Sequence, residues 1–147
     1  DIERIVSQFY DSNKIIFVYN SYYRTSDMLA SIKIGLKSMP QCDAFFLLPG
    51  DMPAISNKVF SDLAKHMQKH KKLIIFPSLN GHKKHPPLIT YNLIGDILNF
   101  NEDGGLRKFF ETMNSNILNI KTNDIGCSLD LDTQADFKNV EKYLYKN

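Results

Sequence analysis

Residues 43–53, DAFFLLPGDMP, contain the clearest strand and turn signals of the chain. The continuous apolar run predicts a short strand buried on both faces, as in a parallel sheet covered by helices. We expect Gly50 to let the chain turn sharply where the strand ends. Asp51 follows that end, which is the edge where open α/β sheets bind ligands. Asp51 is therefore either a ligand for a hard cation such as Mg²⁺ or the cap of a tight turn, and this stretch leaves both interpretations open.

Strand and helix signals alternate along the rest of the chain. A helix is expected at the start, from Ile2 to Phe9, and serine or threonine N-caps are expected at Ser26, Ser56 and Thr133. The predicted strands and extended segments are residues 14–20, 43–48, 73–76, 87–91, 117–121 and 127–131. This alternation predicts an α/β fold with a mostly parallel sheet. We interpret residues 1–147 as a single domain.

The composition excludes several classes of protein. The 147 residues are 43% hydrophobic and 23% charged, as in a globular domain. The net charge of +2 is too small to indicate a nucleic-acid partner, and no apolar run is long enough to span a membrane. Two cysteines without metal-site spacing favour a reduced, cytoplasmic protein.

Three polar clusters could carry chemistry. Asp130 and Asp132 alternate in a segment expected to be extended, so only one of them can share a site with Asp51. Residues 78–84 are predicted to form a loop, and the polar stretch 80–87 (NGHKKHPP) is either a solvated loop or a basic segment that meets an anionic substrate. His66 and His70 have the spacing of a Zn²⁺ site, but the surrounding lysines favour a solvated helix face.

Several short motifs occur in the order found in one known family. A strand ending in Gly-Asp-x-Pro matches residues 47–53, and a preceding Asn with a Ser-Leu-Arg-x-Gly-Leu helix is similar to Asn20 and residues 31–36 (SIKIGL). Later motifs are similar to Pro77 with residues 81–86 (GHKKHP), residues 104–107 (GGLR) and residues 129–137 (LDLDTQADF). The chain therefore resembles the MobA-like nucleotidyltransferases, and most closely the molybdenum cofactor cytidylyltransferases.

This resemblance implies a Rossmann-like, three-layer nucleotidyltransferase fold and a Mg²⁺-dependent reaction. CMP would pass from CTP to molybdopterin with release of pyrophosphate, and a molybdoenzyme could receive the product. By the same resemblance Asp51 is catalytic and holds Mg²⁺ together with Asp130 or Asp132. The remaining assignments are nucleotide binding by Asn20, Ser31 and Gly50, and substrate binding by His85, Pro86 and Arg107.

The chain also departs from the family pattern. Lys33 stands where the family has Arg, so bidentate phosphate recognition is lost there, and Lys84 replaces the Gly before His-Pro. The family's first strand and its Leu-Ala-Ala-Gly phosphate loop have no counterpart here. We therefore expect the chain to be an N-terminally incomplete copy of the domain, without the N-terminal strands.

Two other functions fit the same residues. One is a related transferase, either a GTP-dependent molybdopterin guanylyltransferase or a sugar-nucleotide type that shares the Gly-Asp-x-Pro core. The other is a non-catalytic module that binds or delivers the cofactor, which the missing phosphate loop favours.

Overall fold

A computed structural model describes residues 2–11 and 13–145. The helices are Ile2–Val6 (α1), Met28–Lys37 (α2), Asn57–Lys69 (α3), Ile94–Asn99 (α4), Gly105–Thr112 (α5) and Gln134–Leu144 (α6). The strands are Ala44–Phe46 (β1), Ile74–Leu79 (β2), His82–Lys83 (β3), Leu88–Thr90 (β4) and Ile117–Lys121 (β5), and short 3₁₀ turns cover Tyr91–Leu93, Asn114–Asn116 and Ile125–Ser128. The chain divides into two compact units, residues 1–41 with 94–112 and residues 42–93 with 113–147.

The first unit is built from helices. Helix α2 packs against α4 and α5, and it buries Leu29 and Leu36. Its N-cap is Asp27, whose Oδ1 accepts a hydrogen bond of 2.8 Å from the Ala30 N–H. The predicted Ser26 cap is therefore wrong by one residue, because the Ser26 hydroxyl instead accepts from Asn20 Nδ2.

Residues 14–20 were predicted to form a strand, and this prediction is wrong. No strand pairing occurs there, and the described part of the first unit contains helices, turns and irregular backbone but no strand. Ile16 and Tyr19 are 62% and 69% exposed. The β-branched and aromatic residues favour an extended backbone, but a strand also needs a partner for its N–H and C=O groups.

The second unit contains a five-stranded sheet in the order β1-β4-β2-β3, with β5 also paired to β2. Residues 74 and 75 of β2 pair with both β4 and β5, so β5 must lie on the opposite edge of β2. Strand β2 is buried along its first four residues. Helix α3 packs on β2 and β4, where Val59 and Leu63 join Ile75, Leu88 and Cys127 in one core cluster.

The α/β class is as predicted, but the strand directions correct the expectation of a mostly parallel sheet. Strand β4 is antiparallel to both β1 and β2, β3 is antiparallel to β2, and β5 is parallel to β2. Strands β1, β2 and β5 therefore do run in the same direction. Because β4 lies between β1 and β2, most of the pairings become antiparallel.

A β-hairpin replaces the loop predicted for residues 78–84. Asn80 and Gly81 have φ values of 51° and 82°, the left-handed conformation that a tight hairpin turn requires. Strand β2 also continues through Pro77, where it was predicted to end. The Pro77 carbonyl still accepts a 2.8 Å hydrogen bond from the Lys84 N–H.

The last helix begins as its sequence predicts. Thr133 caps α6 in a capping box in which the Thr133 hydroxyl accepts from the Asp136 N–H and the Asp136 carboxylate accepts from the Thr133 N–H. The preceding segment differs from the prediction, because residues 125–128 form a 3₁₀ turn, although Leu129 is extended. None of the helices in the described ranges has the length and apolar composition needed to span a bilayer.

Candidate functional site

Asp51 lies in the turn that follows β1 and is half-buried. Its Oδ1 atom is buried and has no hydrogen-bond partner within the described residues. Burying a carboxylate oxygen without a partner is costly, so such atoms are found where a ligand satisfies them or where they are strained. This atom is therefore the strongest ligand-binding candidate of the second unit.

A backbone hydrogen bond brings the second pair of acids to Asp51. The Leu131 N–H donates to the Asp51 carbonyl oxygen over 2.9 Å, so Asp130 and Asp132 flank the residue that contacts Asp51. Both side chains are exposed. The Asp132 carboxylate does not cap α6, since Thr133 and Asp136 form the capping box. The structure thus places the backbone of Asp51 in contact with the stretch 130–132.

These acids fit a magnesium-type ion better than a zinc-type ion. No group of three or more His, Cys, Asp or Glu residues is arranged to hold a metal within residues 2–11 and 13–145. Mg²⁺ in proteins commonly keeps several waters and is bound by one or two carboxylates together with substrate phosphates. Asp51 and an acid of the 130–132 stretch, whose backbones are hydrogen-bonded, are a donor set of this kind.

The turn at Gly50 does not need glycine for its conformation, which corrects our expectation. Its φ lies outside the left-handed region, and a Cβ atom built on Gly50 would meet nothing within 4 Å. The turn therefore forms from ordinary backbone angles. The open space beside Gly50 leaves its backbone accessible to a ligand.

The His85-Pro86 pair approaches the same end of β1. The Leu47 N–H donates to the Pro87 carbonyl over 3.1 Å, so β1 and β4 stay paired one residue beyond their ladder. The His85–Pro86 peptide bond is cis. His85 Nδ1 is a second buried atom that has no partner in the described part of the chain.

The other predicted residues belong to the first unit. Asn20 Nδ2 donates to the hydroxyl of Ser31 over 2.9 Å, so these two predicted nucleotide-binding residues are neighbours. The Lys33 ammonium donates hydrogen bonds to the Phe100 carbonyl and to the Asn101 side chain. Lys33 is therefore already hydrogen-bonded to other residues of the protein. Arg107 is exposed and forms an ion pair of 3.6 Å with Glu111 on the surface of α5.

Two other candidates do not belong to a group of three or more metal ligands within the described residues. The rings of His66 and His70 stack with 5.6 Å between their centroids, but no third ligand joins them in the described residues. The Cys127 side chain is buried, and burial raises the pKa of its thiol to about 11. Cys127 is therefore a core residue and not a reactive thiol.

Asp124 was not predicted to be a functional residue from the sequence. Its Oδ2 accepts from the Ser56 N–H over 2.9 Å, and its Oδ1 accepts from the Gly126 N–H and the Tyr143 hydroxyl, both over 2.8 Å. Partial burial raises the pKa of this carboxyl, but the hydrogen bonds from Ser56, Tyr143 and Gly126 outweigh burial and lower the pKa below its ordinary value. The Asp-x-Gly spacing was a visible signal for the local turn, but no local pattern indicates the bonds to Ser56 and Tyr143.

Solved structures resemble this chain in fold. The Rv0371c homologue from Mycobacterium sp. strain JC1 is 19% identical with a TM-score of 0.64, covering 80% of this chain and 59% of that one. Rv0371c from Mycobacterium tuberculosis H37Rv gives 19% identity and a TM-score of 0.64, covering 78% and 59% of the two chains. A manganese complex of Rv0371c from the same organism gives 14% identity and a TM-score of 0.68, covering 96% and 73%.

At these identities the likeness establishes the fold, which is the predicted Rossmann-like nucleotidyltransferase fold. The chain spans 59% of the length of the first two structures. A comparison with curated proteins gave no match. The model of the MobA-like NTP transferase domain matches residues 3–117, which is more than half of the chain. The chain therefore belongs to the family of MobA-like NTP transferase domains.

Proposed function

We propose that the protein is a divalent-metal-dependent nucleotidyltransferase that transfers CMP from CTP to molybdopterin and releases pyrophosphate. The observation that carries this proposal is the buried, unpartnered Oδ1 of Asp51, at a strand end and joined through its backbone to the stretch 130–132. Membership in the NTP transferase family supports the reaction class. Residues 1–147 then form a single domain of this family.

Asp51 and one of Asp130 and Asp132 would hold the cation, with Mg²⁺ as the physiological ion. A bound divalent cation would neutralise charge on the phosphates and align them with the attacking group. The chain's own contribution is geometric, because the turn after β1 and the Leu131 hydrogen bond set where the carboxylates lie. That one neighbouring Rv0371c structure is a manganese complex supports a divalent ion.

The nucleotide would be bound by Asn20, Ser31 and Gly50. The open space at Gly50 supports close approach of a ligand to the backbone. The hydrogen bond between Asn20 and Ser31 orients both side chains, as a binding pair requires. The preference for CTP over GTP rests on the resemblance of the Ser31 helix and the Asp130-Leu131-Asp132 segment to the cytidylyl branch.

The acceptor would contact His85, Pro86 and Arg107. The buried and unpartnered Nδ1 of His85 supports a ligand at that loop, since an unsatisfied ring nitrogen is otherwise unfavourable. Arg107 is exposed, and its surface ion pair with Glu111 is weak enough to be exchanged for a phosphate. The product would pass to a molybdoenzyme in the cytoplasm, with neither nucleic acid nor a membrane as a partner.

Turnover of the full-length protein tests this function. Pyrophosphate release should require molybdopterin and Mg²⁺ and should be faster with CTP than with GTP. Asp51→Asn should lower the rate by at least a hundredfold. Asp62→Asn is a matched control, because Asp62 forms a surface ion pair with Lys58 on α3. Absence of pyrophosphate release with either nucleotide would refute the proposed reaction.

A further inference from the structure

Asp124 joins three separate segments of the second unit through one carboxylate. Its Oδ2 holds the Ser56 N–H at the start of α3, and its Oδ1 holds the Gly126 N–H in the turn after β5 and the Tyr143 hydroxyl on α6. The Asp124 N–H itself donates to the Thr122 hydroxyl over 3.1 Å. A charged acceptor with three donors forms stronger hydrogen bonds than a neutral acceptor would.

The same turn presses against the loop that follows Asp51. A Cβ atom on Gly126 would lie 2.1 Å from the Ala54 carbonyl oxygen, so the two backbones are in close contact. Met52 and Ala54 are buried, at 9% and 4% exposure. Residues 52–56 are therefore fixed by packing as well as by the hydrogen bond from Ser56.

The loop that begins at Asp51 is thus anchored at both ends to one neighbouring stretch, residues 124–131. At its start the Asp51 carbonyl accepts from the Leu131 N–H, and five residues later the Ser56 N–H donates to Asp124. The side-chain oxygen Oδ1 of Asp51 has no hydrogen bond of its own in the described part of the chain. Its position therefore depends on these backbone anchors.

We propose that Asp124 is a positioning residue for the metal site, which sets the distance and orientation between Asp51 and the acids of the 130–132 stretch. This inference rests on the proposed function, since it assumes that Asp51 binds a divalent cation. Asp124 itself does not touch the ion or the substrate. It acts by holding the loop 51–56 against residues 124–131.

Two variants weaken the hydrogen bonding between Ser56 and Asp124 and leave Asp51 unchanged. Asp124→Asn keeps the size of the side chain but replaces one acceptor oxygen with an NH₂ group, which cannot accept from the N–H and O–H donors there. Ser56→Pro removes both donors that Ser56 offers to Asp124, the backbone N–H and the side-chain hydroxyl, and leaves the other donors to Asp124 in place. The φ of Ser56 is −71°, which proline adopts, and the Ser56 side chain makes no capping hydrogen bond.

Tyr143→Phe is the matched control. It removes the hydrogen bond between α6 and Asp124 but leaves both loop anchors, so it reports on general loss of stability. If Asp124 acts only as a structural link, this variant and Ser56→Pro should affect metal binding alike. If Asp124 positions the site, losing the bond between Ser56 and Asp124 should weaken metal binding, and losing the bond between Tyr143 and Asp124 should not.

The test is Mn²⁺ binding to the full chain, followed by the loss of the free-ion signal in electron paramagnetic resonance. We expect Asp124→Asn and Ser56→Pro to weaken Mn²⁺ binding at least tenfold, and Tyr143→Phe to stay within twofold of the wild type. In turnover, the first two should lower kcat at least tenfold with the KM for the nucleotide changed less than threefold.

The measurements distinguish the metal role of Asp51 from the positioning role of Asp124. Equal Mn²⁺ affinity in the wild type and Asp51→Asn would refute the metal role of Asp51 and, with it, the positioning role. Loss of binding in Asp51→Asn with wild-type affinity in Asp124→Asn and Ser56→Pro would overturn the positioning role alone. If Asp124→Asn does not fold, Ser56→Pro decides the question, because it leaves the Asp124 charge and its bonds to Gly126 and Tyr143 in place.

Discussion

Replacing Gly126 with alanine should destabilise the protein strongly, because there is no room for a methyl group. The new Cβ would lie 2.1 Å from the Ala54 carbonyl oxygen and 2.7 Å from its carbon, whereas real Cβ contacts stay beyond 3.0 Å. The atom in the way belongs to the backbone and not to a flexible side chain, so the loop 51–56 must move by roughly 1 Å. Overpacking of this kind costs about 3 kcal/mol, at the upper end of the usual range. For a chain of this length that loss lowers the Tm by roughly 6–12 °C.

Urea unfolding followed by circular dichroism measures this cost. Gly95→Ala is the control substitution, because Gly95 lies within α4 and a Cβ there meets nothing within 4 Å. Alanine at a helical position should leave stability unchanged or raise it by about 0.5 kcal/mol. A Gly126→Ala protein that unfolds within 0.5 kcal/mol of the wild type would show that this loop is not held against residues 124–131, and the reasoning would fail.

Three further predictions test other parts of the second unit. Gly50→Ala should leave the free energy of unfolding within about 0.5 kcal/mol of the wild type, since its Cβ position is open. The same substitution should weaken nucleotide binding at least tenfold, as measured by isothermal titration calorimetry, and an unchanged affinity would show that Gly50 is not part of the site. Because hydrogen bonds hold the folded-state pKa of Asp124 below its ordinary value of 3.8, they stabilise the fold above that pH, and this stability is lost as the pH falls through the folded pKa. Acid unfolding should therefore be steeper for the wild type than for Asp124→Asn, and identical pH profiles would contradict this. In the native protein at pH 8, iodoacetamide should modify the exposed Cys42 and spare the buried Cys127; mass spectrometry showing equal modification would contradict the burial of Cys127.

The helices and strands that depend on local patterns were predicted well. Strand β5 has the predicted bounds, because apolar and polar residues alternate from Leu118 to Lys121 and polar turn residues flank the strand. Helix α6 is capped by Thr133, where a Thr-x-x-Asp pattern provides a capping box within four residues. In both cases the local sequence pattern was enough to place the element, although β5 also pairs with the distant strand β2.

Features that depend on distant partners were not predicted. Residues 14–20 have strong strand propensity, but no pattern within them could tell whether a partner strand is available. The antiparallel position of β4 between β1 and β2 likewise depends on the topology of the whole sheet. The hairpin at Asn80-Gly81 is different, because Asn-Gly between extended residues is a recognised hairpin signal, and here the sequence contained information that the loop interpretation overlooked.

In the candidate site, too, residues in local motifs were predicted and contacts between distant residues were not. Its acids could be named from sequence, since Asp51 follows an apolar run and Asp130 and Asp132 belong to a closing motif. The contact between them depends on the hydrogen bond from Leu131 to Asp51, which joins residues eighty positions apart in the chain. Asp124 was missed for the same reason, since its bond to Ser56 spans 68 residues.

The central claim is that Asp51 is a metal ligand, and a crystal structure of the full chain soaked with Mn²⁺ and CTP tests it most directly. Manganese gives an anomalous signal that locates the ion independently of the protein coordinates. We predict a peak bonded to Asp51 Oδ1, with one carboxylate of Asp130 or Asp132 and the nucleotide phosphates completing the coordination together with water. A manganese peak away from Asp51, or an Asp51 Oδ1 atom that is hydrogen-bonded to the protein while the ion binds elsewhere, would contradict the account.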